Sequence, residues 1–390
     1  MTSYLANVTV FDGTKLAAKR GILVEGAAIA WYGPHARPPR EARSAHEVPV
    51  PLAGVVTPGL IDCHVHLCFD GSPNFVAEAS VTQAYAAVKC VRNAGRQLAA
   101  GVTTVRDLGG PGFVVCEVGR AIADGLVPGP RVVASGQALT ITGGHGWNSF
   151  ARQVDGPDAV RLAVREQVRA GARSIKIVAT GGVLTPGVTV DFTALTAEEV
   201  AAAVDEAHTW GVPIAAHAIG RTGIERCVRA GIDSIEHGSQ ITAAIAKQMV
   251  ERGTFHVPTI SALRGIVDHP EDVPAYAVEK GRQIMDMAKE AFVRSRRAGV
   301  RIACGTDAGT PHNPHGSAPQ EVVRMVDWGL TPSAALRAAT SEAAALLRLP
   351  GAGSIAPGMV ADLVAWHANP LDDVTSLFTP GAVMAGGIVR

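Results

Sequence analysis

The chain has 390 residues, 47% of them hydrophobic and 18% charged, and its 35 basic side chains balance 35 acidic ones to a formal net charge of 0. That length and composition suit a large barrel with a small appendage and argue against wholesale disorder. The balanced charge leaves no electrostatic footprint for nucleic acid or an anionic membrane. Six scattered cysteines without a C-x-x-C pair argue against a disulfide framework or cysteine-ligated zinc. With no leader-like start and no apolar run long enough to span a bilayer, a soluble cytoplasmic protein is expected.

Residues 1–57 alternate short extended runs (NVTVFDG, GILVEGAAIAWYG) with glycine and proline turns, a pattern of strands. From residue 58 another unit takes over. An alanine-rich helical stretch closes on glycine, and a short apolar run follows that ends in polar residues. The unit recurs at 98–107, 169–178, 209–218, 229–238 and 297–307, with Gly101, Gly171, Gly211, Gly231 and Gly299 as helix stops. Runs this nearly continuous in apolar residues suit strands buried on both faces. Helix followed by strand, repeated, implies parallel strands joined by right-handed crossovers.

Eight such strands are predicted, near Gly59–His66, Thr103–Asp107, Arg131–Ser135, Ser174–Val178, Pro213–His217, Ser234–His237, His256–Ile260 and Arg301–Thr306. The expected fold is α/β, a (β/α)8 TIM barrel over residues 58–352. An open doubly wound sheet is the alternative, but no G-x-G-x-x-G turn follows an early strand. Residues 353–390 return to the style of the N-terminus (GSIAPGMVADLVAW, AVMAGGIVR). Residues 1–57 and 353–390 are therefore expected to form one small β-sandwich domain from both chain ends.

In a barrel, reactive groups sit at the C-terminal ends of the strands. The polar residues there are His64, His66, Lys176, His217, His237 and Asp307, an inventory for metal. Positions i and i+2 of a strand face one side, so His64 and His66 can grip one ion together, with Val65 turned into packing. His217 and His237 end neighbouring strands and suit a second ion, or else cap backbone carbonyls. A lysine buried in SIKIV needs a carboxylate partner or neutralisation; Lys176 could instead carry carbon dioxide as a carbamate bridging two metals. Asp307, in GTDAG, suits ligation and general-base work, or a loop cap. His145, in TGGHG, could meet a substrate carbonyl or orient its loop, and the Gly181–Gly182 pair has the same two uses. His312 and His315 are expected on an exposed loop.

PGLIDCHVH at 58–66, SIKIVATGGV at 174–183, AAH at 215–217, IEHG at 235–238, GTDAG at 305–309 and GSIAPGMVADLV at 353–364 together resemble the metal-dependent amidohydrolase superfamily. The resemblance runs along essentially the whole chain. TGGHG and KIVATGGV are most similar to its prolidase-like dipeptidase and imidazolonepropionase-related branch, which includes carboxypeptidase-like enzymes that cleave N-acyl amino acids such as ochratoxin. By position, the resemblance implies a first metal on His64, His66 and Asp307 and a second on His217 and His237. Lys176 would bridge them as a carbamate, with zinc the expected metal. Ile219 departs from the branch, whose dipeptidases carry tyrosine there; Arg221 is the nearest polar candidate to replace it.

The implied activity is binuclear amide hydrolysis in a dipeptide (Xaa-Pro dipeptidase-like) or an N-acyl amino acid by metal-activated hydroxide. Asp307 would shuttle the proton, and His145, Gly182 and Arg221 would contact substrate. The alternatives are a cyclic amide hydrolase or heterocycle deaminase, a lactonase, and a non-enzymatic barrel relative. A small-molecule or dipeptide-like substrate and a symmetric homo-oligomer are expected, with neither nucleic acid nor membrane as partner.

Overall fold

Helix and strand alternate because each helix has one apolar stripe to bury against strands that are apolar on both faces. In Ala197–Thr209, Val200, Ala203, Val204 and Ala207 are buried at i, i+3, i+4 and i+7, and Thr196 and Glu199 form a reciprocal capping box at its start. The five glycines expected to stop helices all have positive φ, from 70° at Gly211 to 97° at Gly171. The structure, a computed structural model, describes residues 2–51 and 54–390. Met1, Leu52 and Ala53, all within the expected terminal β-domain, lie outside them.

The strands that follow the helices are parallel. Leu60–Val65, Val102–Asp107 and Arg131–Ala134 form a three-stranded sheet. A six-stranded sheet runs in the order Ala151–Gln153, Ala138–Thr140, Ile175–Val178, Ile214–Ala218, Ser234–His237 and Phe255–Val257. Between the sheets the chain breaks at Gly136 (φ 72°), and Ser174 N donates to Ala134 O at 3.2 Å.

Two predicted strands end early, for identifiable reasons. The run expected over His256–Ile260 stops at Val257, because Pro258 has no N–H and Thr259 takes φ 49°. Residues 301–306 form no assigned strand. They bridge His256 through Ile302, and Cys63 N donates to Cys304 O at 2.8 Å. The ladder fails at Thr306 because its N–H (2.9 Å) and Oγ1 (2.7 Å) are captured by the buried Asp62 carboxylate.

Strands from both chain ends lie on one hydrogen-bonded path, where a two-sheet sandwich was expected. In that eight-stranded sheet Val55–Pro58 pairs parallel with Thr2–Phe11 and antiparallel with Leu363–Trp366. Gly59 then turns the chain directly into Leu60–Val65. A Cβ on Gly59 would lie 2.1 Å from Thr103 Oγ1, so only glycine lets the two strands approach. The sheet is pinned by Trp366, fully buried, whose Nε1 donates to Thr57 Oγ1 at 2.9 Å and whose ring reaches the turn at Gly101. Among the described residues no helix is long and apolar enough to cross a membrane.

Trp366→Ala should lower unfolding stability by about 3–5 kcal/mol, the cost of emptying a large aromatic site. Trp366→Phe, which loses chiefly the hydrogen bond and part of the ring, should cost clearly less in the same chemical denaturation measurement.

Candidate active site

Strand alternation decides which side chains share the cavity. On Leu60–Val65, Ile61 and Cys63 pack against Ala343, Ala344 and Leu347, which turns Asp62 and His64 to the opposite face. His66, one residue beyond the strand, keeps that direction. Asp307 Oδ1 lies 3.4 Å from His64 Nε2 and 3.2 Å from His66 Nε2. Ligand atoms of these three residues all fall within 4.8 Å of one another, close enough to hold a metal ion together. Their meeting depends on Asp307 at φ 60°, a left-handed conformation that swings its carboxylate back over the first strand.

The other predicted groups continue the arc. The His64 and His237 rings are 5.4 Å apart, His237 and His217 4.6 Å, and His217 and His145 4.6 Å. Lys176 lines the same cavity, so seven of the eight predicted ionisable residues converge on it, Arg221 being the exception. Gly182 stands just behind the cavity wall. Its backbone lies against the His145 ring, and a Cβ would come within 2.4 Å of it. Arg221 does not converge; it is exposed and lines a separate surface recess with Asp191 and Gln240. His315, expected on an exposed loop, is buried, with Nε2 bonded to Phe69 O at 2.8 Å. His312 stacks on His269 at 4.0 Å.

Two residues at the heart of the site were not singled out by sequence reasoning. Glu236 is buried with Oε2 2.9 Å from His64 Nδ1, and Arg106, wholly buried, donates to Glu236 Oε1 at 2.8 Å and to Cys63 O at 2.6 Å. The signal was present, since each is a charged residue inside an apolar strand, as Lys176 is.

The second nitrogen of each ring fixes its tautomer. His66 Nδ1 donates to Gly109 O (2.7 Å), His217 Nε2 to Gly181 O (2.9 Å) and His64 Nδ1 to the Glu236 carboxylate. His237 Nδ1 donates to Thr259 Oγ1 (2.7 Å), whose own proton goes to Pro258 O. Partners that only accept keep the proton on the engaged nitrogen, leaving the opposite lone pair for a ligand. His145 is different: Thr185 Oγ1 accepts from Gly146 N (3.1 Å) and lies 2.7 Å from His145 Nδ1. Thr185 Oγ1 is free to donate to Nδ1, and in that tautomer the proton sits on Nε2 and His145 is a donor rather than a ligand.

Electrostatics agree. Burial holds His64, His217 and His237 well below the ordinary imidazole value and pushes His145 down to about 3, so these rings are neutral. Burial opposes charge on His66 as well, but the Asp307 carboxylate bonded to it raises its pKa. Burial acts to raise Asp307, yet the flanking His64 and His66 rings and the Lys176 charge keep it below the usual carboxylate range. Burial pushes Lys176 down to about 8. Its Nζ, 1% exposed as a residue, has no hydrogen-bond partner among the described residues. A buried amine left unsatisfied is costly. Four lone-pair-presenting imidazoles, a carboxylate and this orphan amine fit divalent metal.

Known proteins resemble this chain over most of its length. The amidohydrolase family profile matches residues 55–389. Ochratoxinase of Aspergillus niger is 32% identical over 406 residues, covering 95% of this chain and 82% of that protein. A Xaa-Pro dipeptidase solved with methionine in its active site has a TM-score of 0.91 at 31% identity, over 100% of both chains. A prolidase solved with N-methylphosphonate-L-proline has a TM-score of 0.92 at 32% identity, over 100% of this chain and 99% of that one. The chain belongs to the amidohydrolase family, in its prolidase-like and ochratoxinase-like branch, and is a hydrolase acting on amide bonds.

Proposed function

We propose that this protein is a binuclear metal-dependent amidohydrolase that cleaves the amide bond of a dipeptide or an N-acyl amino acid. The observation that carries the reading is the unpartnered Lys176 Nζ among four histidines whose free lone pairs are set by their second partners. His64, His66 and Asp307 would hold one ion and His217 and His237 the other, with Lys176 joining them as a carbamate and zinc as the metal. The parallel strands close into a (β/α)8 barrel in this reading. Support comes from the hydrogen bonds of residues 301–308 to the first and seventh strand positions and from Ser174 to Ala134. Similarity to ochratoxinase and to a Xaa-Pro dipeptidase supports a substrate with an amino-acid portion.

Bound divalent ions would supply Lewis acidity and lower the pKa of a water toward ~7. The chain's own residues do the rest. Asp307, kept ionised by the His64 and His66 rings beside it, accepts the proton of the attacking water and returns it to the leaving nitrogen. His145, neutral and protonated on Nε2, donates to the carbonyl oxygen as negative charge develops there. Phe75, Phe150, Leu184, Ile219 and Leu263 line the cavity and exclude water from the amide. These apolar walls favour substrates with a large apolar group.

After reconstitution with zinc and bicarbonate, elemental analysis should find two ions per chain, and chelation should abolish hydrolysis of N-acetyl amino acids and dipeptides. A single ion with unmodified Lys176 would favour the cyclic-amide or deaminase reading. Asp307→Asn should lower kcat by about 10²–10⁴-fold; full activity with both ions present would sink the proton-shuttle role. Carbamate forms only on the neutral amine. At fixed dissolved CO2 the rate of zinc reactivation should therefore rise with pH to half its maximum near 8 and reach its plateau well below 10.5, because burial lowers Lys176 to about 8 from 10.5. A rate still climbing toward 10.5 would contradict this.

A further inference from the structure

The segment 181–188, which follows the strand Ile175–Val178, meets the cavity on one side and the long helix Ala275–Ala298 on the other. On the cavity side Gly182 lies against the His145 ring, Thr185 Oγ1 is 2.7 Å from His145 Nδ1, and Gly181 O accepts from His217 Nε2 at 2.9 Å. Val183 and Leu184 belong to the cavity wall. Three parts of the proposed active site thus rest on one stretch of chain.

That stretch does little to hold itself. Among the described residues, positions 182–188 make no backbone-to-backbone hydrogen bond to another segment, and within the stretch only a turn at Pro186–Gly187 is formed. Its carbonyls go instead to two side chains of the helix. Lys280 Nζ donates to Thr185 O at 2.8 Å and Val188 O at 2.7 Å, with Gly182 O at 3.4 Å. Tyr276 OH donates to Leu184 O at 2.9 Å. An ammonium has three donors and no acceptor, so three carbonyls saturate it. Lys280 forms no ion pair among the described residues; its ammonium faces this loop and the Tyr276 ring, 5.4 Å from Nζ to the ring centroid. Hydrogen bonds from a charged donor are the stronger kind.

We infer that Lys280 is a positioning residue: by gathering the carbonyls of 182, 185 and 188 it sets the orientation of His145 and the apolar wall of the cavity. It touches no reacting atom. The inference rests on the hydrolase reading only where the rate is measured; the geometry it concerns can be read without substrate.

The test compares Lys280→Met, which keeps the length and loses the donors, with Lys280→Arg, which keeps donors, and with the milder Tyr276→Phe. The Gly146 amide donates to Thr185 Oγ1 and the Gly181 amide to Phe192 O, so their hydrogen exchange reports on the segment. In Lys280→Met both should exchange at least about tenfold faster, while amides of the strand Ile214–Ala218 and the zinc content stay at wild-type values. Lys280→Arg should restore slow exchange, and Tyr276→Phe should give a smaller acceleration confined to the same amides. With N-acetyl-L-phenylalanine as probe, kcat should fall about tenfold in Lys280→Met with KM changed less, and recover in Lys280→Arg. Unchanged exchange at Gly146 and Gly181 in Lys280→Met, or Arg behaving as Met does, would overturn the inference. If wild-type protein leaves the probe intact, the proposed substrate class fails, while the exchange result still decides the role of Lys280.

Discussion

The chain of contacts Arg106–Glu236–His64 is what the rest of the site leans on. Its members come from three strands far apart in sequence, Val102–Asp107, Ser234–His237 and Leu60–Val65, and Arg106 and Glu236 are both 0% exposed. Two full charges in so dry a place are tolerable only because every strong donor and acceptor is met. Arg106 reaches Cys63 O and Ser234 Oγ as well as Glu236, and Ser234 Oγ in turn donates to Glu236 at 2.5 Å. Removing one partner of such a pair costs about 3–5 kcal/mol, since the other charge stays buried and unpaired. The network therefore fixes the mutual placement of the strands and, at its end, the tautomer of His64.

The same logic spreads outward. Each remaining histidine proposed as a metal ligand is oriented by an acceptor from a different loop: Gly109 O for His66, Gly181 O for His217, Thr259 Oγ1 for His237. Two of the groups involved sit in left-handed backbone, His237 at φ 68° and Thr259 at φ 49°, and Asp307 at φ 60° makes a third. Such conformations cost of order 1–3 kcal/mol each for residues other than glycine. Their concentration at the ends of two strands and of the extended run 301–306 shows where packing and hydrogen bonds elsewhere hold the backbone against its own preference. Burial then removes the charge that His64, His217 and His237 would gain as isolated imidazoles, so these three rings offer lone pairs rather than protons.

The local code for this arrangement was legible. Alternation on a strand is set by chain geometry, so His64 and His66 had to share a face, and the helix-closing glycines marked where each strand would begin. The polar residue after each apolar run identified His217, His237 and Asp307, and Lys176 stood out as a charge inside one. Glu236 escaped because attention to strand ends favours the last residue, and His237 follows it directly. Arg221 was reached by counting along the chain from His217, but after the strand the backbone turns into the helix Arg221–Ala230 and carries that side chain to another surface. His315 resembled a loop residue because nothing local tells that Gln97 and Phe69 O close around it.

The sequence by itself determined the parallel α/β character, the strand-end inventory of metal-type ligands and the family, because these follow from periodicity and residue chemistry within short windows. Only the tertiary structure decided which nitrogen of each ring is free, that Lys176 Nζ has no hydrogen-bond partner among the described residues and that Arg221 stands apart. It also decided that the loop at 181–188 hangs on Lys280 from a helix some ninety residues later. Those outcomes depend on partners brought together from distant segments, and no local pattern encodes which distant carbonyl, hydroxyl or carboxylate will be the neighbour.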